Sequence, residues 1–183
     1  GMVRRFKQHM AHIGILHPGE MGVSIGAAAR HSGNTVYWAS AGRSAQTAQR
    51  AQLHGLTDAH TLAALCETCA ILISICPPDA AEDMARDIVA QGFKGIYVDA
   101  NAIAPQRAQR LSQMLQAAGA TFVDGGIIGG PAWVAGATWL YLSGNNAREI
   151  AACFANSPLM TDVIGTEIGA ASALKMCYAA YTK

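Results

Sequence analysis

The chain has 183 residues, of which 51% are hydrophobic and 14% charged, and its formal net charge at pH 7 is +1. This size and composition predict a globular domain with a full core. Nucleic acid is disfavoured as a partner, because binding a phosphate backbone requires clustered cations and the sequence has no dense Lys/Arg run. A membrane partner is also disfavoured, because no apolar run reaches the ~18 to 20 residues of a membrane span.

The first residues bear on the cellular compartment. Residues 2 to 10 are polar and basic and lack the apolar core that a secretory signal needs. The sequence therefore predicts a cytoplasmic protein.

Apolar runs of strand length alternate with helix-compatible segments along most of the chain. This alternation predicts an α/β fold with a doubly wound, mostly parallel sheet. The segment 138–142 follows a glycine-rich stretch too short for a crossover helix, so we expect this last strand to add antiparallel at the sheet edge. The expected strands are 11–16, 35–39, 69–75, 95–99, 120–123 and 138–142, and the expected helices are 20–31, 44–54, 79–91, 105–118 and 146–155.

The segment HIGILHPGEMGVSIG runs from the first strand into closely spaced glycines. In a dinucleotide-binding turn the first glycine makes the bend, the second lets the backbone approach the pyrophosphate, and the third lets helix and strand pack closely. Gly19 and Gly22 fill the second and third positions, but His17 stands at the first. A generic glycine turn is the alternative, yet the position before the first helix of a β-α-β unit favours a dinucleotide. The candidate cofactor-binding residues are His17, Pro18, Gly19, Glu20, Met21 and Gly22.

The end of the second strand, VYWASAGRS, bears on which dinucleotide is bound. NAD binders tend to carry an acid there, whereas NADP binders use an arginine. The next acid is Asp58, a helix away, while Arg43 and Ser44 stand where a guanidinium and a helix N-terminus suit a phosphate. A solvated Arg43 and a helix-capping Ser44 are the alternative. The two loops together favour NADP over NAD.

Cys66 and Cys69 form a C-x-x-C pair, which is compatible with a redox pair or half a metal site. No second Cys or His pair at ligand spacing accompanies it. Cys69 also opens the apolar run CAILISIC, where a small thiol packs like a hydrophobe. The sequence therefore favours two structural cysteines and no metal site.

The final segment, GTEIGAASALKMCYAAYTK, has strong helix propensity from about Glu167 onward, and the sequence stops inside this helix. We expect a dinucleotide-binding domain at 11–165, followed at 166–183 by the start of a helical extension whose remainder is absent. The helix would then find its partner on another subunit, which predicts a homodimer through this helix.

Several short motifs, taken in order, resemble a known family. IGILHPGEMG, GRSAQTAQRAQLHG, SICPPDA, VDANAIAP, FVDGGIIGG and ASALKMCYAAYTK are similar to motifs of the 6-phosphogluconate dehydrogenase and beta-hydroxyacid dehydrogenase superfamily, in its poorly characterised 6-phosphogluconate dehydrogenase-like branch. The similarity covers about residues 11 to 183. It implies a Rossmann-type domain that leads into a long interdomain helix.

The resemblance also implies roles for five further residues. Cys76, Pro77 and Pro78 would lie beside the nicotinamide, Asn101 would lie near its ribose and the substrate, and Lys175 would handle the proton on the substrate oxygen. Each has an alternative: the prolines simply end a strand, Asn101 caps a turn, or Lys175 is an exposed lysine on an amphipathic helix.

Two functions follow from these observations. The first is an NADP-dependent oxidoreductase that acts on a small molecule, a hydroxy acid or related carbonyl compound. The second is a catalytically silent dinucleotide-binding sensor or scaffold. The second is favoured by His17, by Ile128 and Ala179 where the family has serine and asparagine, and by the early stop.

Overall fold

A computed structural model describes residues 10–181, so the basic stretch before residue 10 and the last two residues lie outside the described part. The strands lie in one eight-stranded sheet. They are β1 (His12–Leu16), β2 (Thr35–Trp38), β3 (Thr57–Asp58), β4 (Ile71–Ser74), β5 (Ile96–Asp99), β6 (Thr121–Ile128), β7 (Thr138–Ser143) and β8 (Leu159–Gly165).

The helices connect these strands and cover both faces of the sheet. In the helix at 81–90, for example, Ala81, Met84, Ala85 and Ile88 are buried at helical spacing, which places one apolar face on the sheet. The helices are α1 (Glu20–His31), α2 (Ala45–Leu53), α3 (Leu62–Thr68), α4 (Ala81–Ala90), α5 (Pro105–Ala117), α6 (Ala147–Ala152) and α7 (Ala170–Tyr181), with a 3-10 turn (Pro78–Ala80) before α4. None of the helices within 10–181 is long and apolar enough to cross a membrane.

The sheet order β3-β2-β1-β4-β5-β6-β7-β8 confirms the predicted doubly wound, mostly parallel sheet of the Rossmann type. All pairs from β3 to β6 are parallel. Strand β7 pairs antiparallel to β6, as expected from the short connection. The expectation that this strand is the sheet edge is wrong, because β8 pairs with it in parallel on the outside.

Three elements escaped the sequence pattern: β3, α3 and β8. Strand β3 has only two residues, and β8 is half-exposed along most of its length, so neither forms an apolar run. Helix α3 has a single fully buried residue, Leu65, and therefore lacks the repeating apolar face that a longer helix shows.

The core lies on both faces of the sheet, as parallel sheets require. Ile13 and Ile15 of β1 belong to one apolar cluster, whereas the neighbouring Leu16 belongs to the other, together with Leu72 and Tyr97. Each strand thus contributes alternate residues to opposite layers.

The carboxyl ends of the parallel strands form one edge of the sheet. At this edge the strand register aligns Leu16 of β1, Ser74 of β4, Asp99 of β5 and Asp124 of β6 in a single row. Antiparallel pairing adds Ser143 of β7 to the row. Ligands of open α/β sheets bind outside the carboxyl ends of the strands, so this edge is the candidate site.

Candidate functional site

The turn after β1 is tight although histidine stands where a dinucleotide-binding turn has its first glycine. His17 has a φ of 59°, in the left-handed region that glycine adopts without penalty and that histidine visits more often than most residues. The His17 carbonyl accepts a hydrogen bond from the Gly19 N–H at 2.7 Å, which closes the turn around Pro18. The tight bend is therefore made without glycine.

The other two glycines occupy positions that suit their expected roles. A Cβ added at Gly22 would lie 2.9 Å from the His17 carbonyl oxygen, so only glycine lets α1 approach the turn this closely. A Cβ at Gly19 would meet nothing within 4 Å, so the backbone there faces open space. No side chain caps the first turn of α1, which leaves its N–H groups available to an anion. Glu20 is exposed, Met21 is half-buried, and Pro18 is held by Arg50, whose Nη1 donates to its carbonyl at 3.3 Å.

His17 and Arg43, the two residues at which the sequence differs from a typical NAD-binding site, are in contact in the structure. The Arg43 guanidinium, after the end of β2, lies 2.9 Å from Nε2 of His17. A guanidinium can only donate, so the imidazole nitrogen accepts and the ring proton is assigned to Nδ1. Burial and the neighbouring Arg43 charge lower the pKa of His17 to about 4, which keeps the ring neutral near pH 7.

Ser44 is the N-cap of α2, and its hydroxyl accepts a hydrogen bond from the Thr47 N–H at 3.2 Å. The helix-capping alternative is therefore present in the structure, while the phosphate role of Ser44 stays a prediction. Beside it, a cavity of about 160 Å³ opens between the end of β1, Arg43 and helix α4, with His17, Met84 and Asp87 among its lining residues.

Asp58, a helix away in sequence, lies close to the end of β2 in space. It pairs with Trp38 on β2, and its carboxylate accepts the N–H groups of Ser40 at 3.2 Å and His60 at 2.7 Å. The Asp58 carboxylate therefore stabilises the turn after β2. The residues next to Arg43 in the sequence, Gly42 and Ser44, are uncharged.

The turn after β4, Cys76 to Pro78, is fixed by contacts from two other elements. The Cys76 N–H donates to Oδ1 of Asn101 at 2.6 Å, and Arg107 of α5 donates to the Pro78 carbonyl at 3.1 Å. Burial raises the pKa of the Cys76 thiol, so the turn presents a neutral thiol and two prolines. The turn is therefore a rigid, uncharged surface at the carboxyl ends of the strands.

Asn101 is only 3% exposed, and its side chain is occupied by protein partners. Its Nδ2 donates to Ser74 Oγ at 3.0 Å and to Asp99 Oδ2 at 3.1 Å. Both amide protons are thus used, and the amide oxygen holds Cys76. The geometry makes Asn101 a brace between the ends of β4 and β5, and its predicted contact with the substrate stays a prediction.

Sequence reasoning missed two buried carboxylates in the row. Asp99 and Asp124 are both 0% exposed and are register neighbours on β5 and β6. Burial, with a smaller contribution from the Asp124 charge, raises the pKa of Asp99 to about 7. A signal for them was present, since each acid ends an apolar run at the carboxyl end of a predicted strand.

Asp124 holds the start of α7. Its Oδ2 accepts the N–H groups of Gly169 and Ser172 at 3.0 Å each, and its Oδ1 accepts the Ser172 hydroxyl at 2.5 Å. The Ser143 hydroxyl accepts the next free donor, the Ala171 N–H, at 3.1 Å. Burial is the largest effect on the pKa of Asp124, and the net shift is upward.

Lys175 lies one turn further along α7, above β6. A Cβ added at Gly126 would lie 2.8 Å from the Ala171 carbonyl oxygen and 3.0 Å from Lys175 Cβ, so glycine permits the close contact between helix and strand. Lys175 is half-buried there rather than fully exposed. Ile128, at the end of the same strand, pairs with Trp139 of β7.

The cysteine pair does not resemble a reactive site. Burial raises the pKa of Cys66 to about 11, and burial with the neighbouring Cys66 raises that of Cys69 to about 12, which disfavours the thiolate that redox or metal chemistry needs. Across residues 10–181, no group of three or more potential ligands is arranged to hold a metal ion.

The comparisons with known proteins agree with this geometry. The model of the family described as the NAD binding domain of 6-phosphogluconate dehydrogenase matches residues 10–171. The chain belongs to this family. As a member, it is a nicotinamide dinucleotide-binding domain with a hydroxyacid dehydrogenase-like fold, which confirms the predicted resemblance.

Individual relatives extend beyond the chain. An uncharacterized 28.5 kDa protein in the 7S RNA 5′ region of Methanothermus fervidus is 31% identical over 142 residues, which is 78% of this chain and 54% of that protein. A conserved protein of unknown function, described as structurally similar to 3-hydroxyacid dehydrogenases, has a TM-score of 0.81 and 29% identity over 93% of this chain and 64% of its own. The chain thus spans about half to two thirds of these relatives.

Other solved structures share the fold at lower identity. Mycobacterium tuberculosis 3-hydroxyisobutyrate dehydrogenase with L-serine has a TM-score of 0.79 at 18% identity, over 94% of this chain and 60% of its own. An imine reductase from Myxococcus stipitatus in complex with NADP+ has a TM-score of 0.80 at 20% identity, over 93% and 61%.

Proposed function

We propose that this protein is an NADP-dependent oxidoreductase that acts on a hydroxy acid or a related carbonyl compound. The observation that carries the NADP preference is the Arg43 guanidinium beside the turn after β1, at 2.9 Å from His17. A dinucleotide whose pyrophosphate lies on the N-terminus of α1 places its adenosine ribose near the end of β2. Arg43 is the cation at that position.

The proposed cofactor site uses the turn and both flanking helix starts. Gly19 offers open backbone to the pyrophosphate, and Gly22 holds α1 close to the turn, as its contact with the His17 carbonyl requires. Arg43 and the start of α2 at Ser44 would bind the 2′-phosphate. Imine reductase structures of this fold hold NADP+ in one case and, in a variant, NAD+, so the choice of NADP rests on Arg43 and Ser44 of this chain.

The nicotinamide would lie against the turn of Cys76, Pro77 and Pro78. In this proposal Asn101 is a positioning residue, because its amide fixes the Cys76 N–H and ties the turn to Asp99. A rigid turn keeps the ring at a constant distance from the substrate, which hydride transfer requires.

When bound, the nicotinamide supplies or accepts a hydride, and the adjoining substrate oxygen must gain or lose a proton. Lys175 is our candidate for that proton. It is half-buried on α7 directly above Gly126, at the carboxyl side of the row of strand ends. Asp124 fixes the first turn of the same helix, so the position of Lys175 is set by a buried carboxylate.

The test is NADPH oxidation with a panel of small 2- and 3-oxo acids and related carbonyl compounds, comparing wild type with Lys175→Met. Methionine keeps the alkyl stem and removes the proton donor, so we expect kcat to fall by about 10²- to 10⁴-fold. The matched control is Lys94→Met, because Lys94 precedes β5 at the opposite edge of the sheet. Equal activity of wild type and Lys175→Met would remove Lys175 from the chemistry.

One observation favours a second candidate, a dinucleotide-binding protein without catalysis. Asn101 donates both amide protons to Ser74 and Asp99, so its side chain has no remaining donor for a substrate. Under this alternative the wild-type protein binds NADPH but reduces no compound of the panel, whereas an active wild type with an equally active Lys175→Met would remove only Lys175 from the chemistry.

We also propose a homodimer formed through α7. Four large apolar side chains of this helix are exposed, among them Leu174 at 37%, Met176 at 41% and Tyr181 at 90%. Leu174, Tyr178 and Tyr181, at i, i+4 and i+7, share one face of α7, and Met176 lies on another. An exposed apolar face on one helix is typical of an association surface.

A further inference from the structure

The turn after β1 and the end of β2 are linked by one side-chain contact. Nη2 of Arg43 and Nε2 of His17 are 2.9 Å apart, and the two residues are 26 positions apart in sequence. Because the guanidinium donates, the imidazole must accept through its unprotonated nitrogen. The low pKa of His17, about 4, agrees with a ring that remains an acceptor at neutral pH.

Position 17 imposes two requirements that histidine meets together. The backbone there has a φ of 59°, which glycine adopts freely and which asparagine and histidine tolerate better than other residues. Glycine would satisfy the backbone but leave Arg43 without its partner. Asparagine would tolerate the backbone conformation, but its side chain is shorter than that of histidine and would not place an acceptor at the same distance from Arg43.

The contact with His17 holds the Arg43 guanidinium in place at the end of β2 before a ligand binds. Arg43 is an exposed, long side chain, and ordering such a side chain on binding costs conformational entropy. The imidazole already holds the guanidinium beside the turn. A guanidinium has five N–H donors, so the remaining ones stay available for a phosphate.

We infer that His17 is a specificity-determining residue, which presents Arg43 to the 2′-phosphate of the dinucleotide and so sets the preference for NADPH over NADH. His17 acts through Arg43, so it is a positioning residue for the phosphate. The inference rests on the proposed function and deepens it, because it assigns the preference to a pair of side chains rather than to Arg43 alone.

The experiment is a double-mutant cycle read as Kd for NADPH and, separately, for NADH. The proteins are wild type, His17→Gly, His17→Asn, Arg43→Ala and the double variant His17→Gly/Arg43→Ala. We expect each single His17 variant to weaken NADPH binding by about fivefold to tenfold, because the Arg43 side chain would then have to be ordered when the cofactor binds. NADH binding should change by less than about twofold, because NADH lacks the 2′-phosphate that Arg43 would hold.

The double variant and the fold control complete the test. In the Arg43→Ala background, His17→Gly should have no further effect on the NADPH/NADH ratio, since the partner of His17 is already gone. The melting temperature of each unliganded variant reports on folding. If His17→Gly proves unstable, His17→Asn carries the test, because it tolerates the same backbone.

The outcomes separate this inference from the proposed function. If wild type prefers NADPH and that preference falls by about fivefold to tenfold in both His17 variants, the inference is supported. A wild-type preference that changes by less than about twofold in both variants, or an equal loss of NADPH and NADH binding, would overturn the role of His17 while leaving the function in place. A wild type without any preference for NADPH would overturn the NADP assignment, and the role of His17 with it.

Discussion

At the scale of single residues, the buried carboxylate of Asp99 makes stability depend on pH. The folded-state pKa of about 7 lies above the unfolded value of about 3.9. Between these values the folded state keeps a proton that the unfolded state has lost. The contribution of Asp99 to stability is therefore full below about pH 4 and is lost as pH rises through 7.

The corresponding prediction concerns Asp99→Asn, which removes the titration and keeps the shape. The free energy of unfolding of the variant minus that of wild type should increase as pH rises from 4 to 8, because only wild type loses the contribution of a protonated Asp99. Urea unfolding at several pH values measures this difference, and using the difference cancels groups that titrate in both proteins, such as His17. A difference that is constant with pH would mean that Asp99 is ionised throughout.

His17 carries a second residue-scale prediction. Because burial and Arg43 lower its pKa to about 4, its ring should remain neutral at pH 5.5, with the proton on Nδ1. Ring nitrogen shifts in an NMR titration report both the charge and the tautomer. In Arg43→Ala the titration midpoint should move toward the ordinary value of 6.5, because one of the two causes is removed. A wild-type midpoint above 6 would contradict the contact.

At the scale of elements, α7 is held to the sheet by Asp124 and by the glycine at 126. Asp124 accepts two N–H groups from the start of the helix and the Ser172 hydroxyl, and all three hydrogen bonds are buried. Asp124→Ala would leave these donors buried without a partner. We expect a loss of about 2 to 4 kcal/mol in the free energy of unfolding.

The matched control for that loss is Asp162→Ala. Asp162 is an exposed acid on the edge strand β8, and its removal should change stability by less than about 0.5 kcal/mol. Denaturant unfolding of both variants makes the comparison. Similar stabilities for the two variants would mean that Asp124 does not anchor α7.

The elements also show which parts of the fold can be read from the sequence. Strands such as β1 and β4 are continuous apolar runs because they are covered on both faces, and the sequence predicts them. Strand β8 lies at the edge and mixes exposed and half-buried residues, so its pattern is weak. Its position outside β7 depends on tertiary pairing that no local pattern records.

The site was predictable in its residue types but not in its contacts. The glycines and Arg43 could be recognised because their chemistry is local. The brace formed by Asn101 depends on Ser74, 27 positions earlier, and the partner of His17 is 26 positions later. Such pairs are set by the sheet order, which brings the ends of distant strands together.

At the scale of the whole molecule, α7 raises the question of assembly. If its exposed apolar residues form the proposed dimer contact, sedimentation should give a mass near twice 19.1 kDa. Leu174→Asp would place a charge in that contact and shift the protein toward monomer, whereas Asp162→Asn on β8 should have no effect. A wild-type monomer at high micromolar concentration would contradict the dimer.

In the proposed function, the turn HPGEMG, with a histidine in the first glycine position, still binds a dinucleotide and selects its 2′-phosphorylated form. The most direct measurement is the Kd of the wild-type protein for NADPH and for NADH under the same conditions. Binding can be detected by thermal stabilisation or by fluorescence. We expect NADPH to bind at least about tenfold more tightly than NADH, because one charged hydrogen bond to the 2′-phosphate provides that much affinity. Tighter binding of NADH, or binding of neither at millimolar concentration, would contradict it.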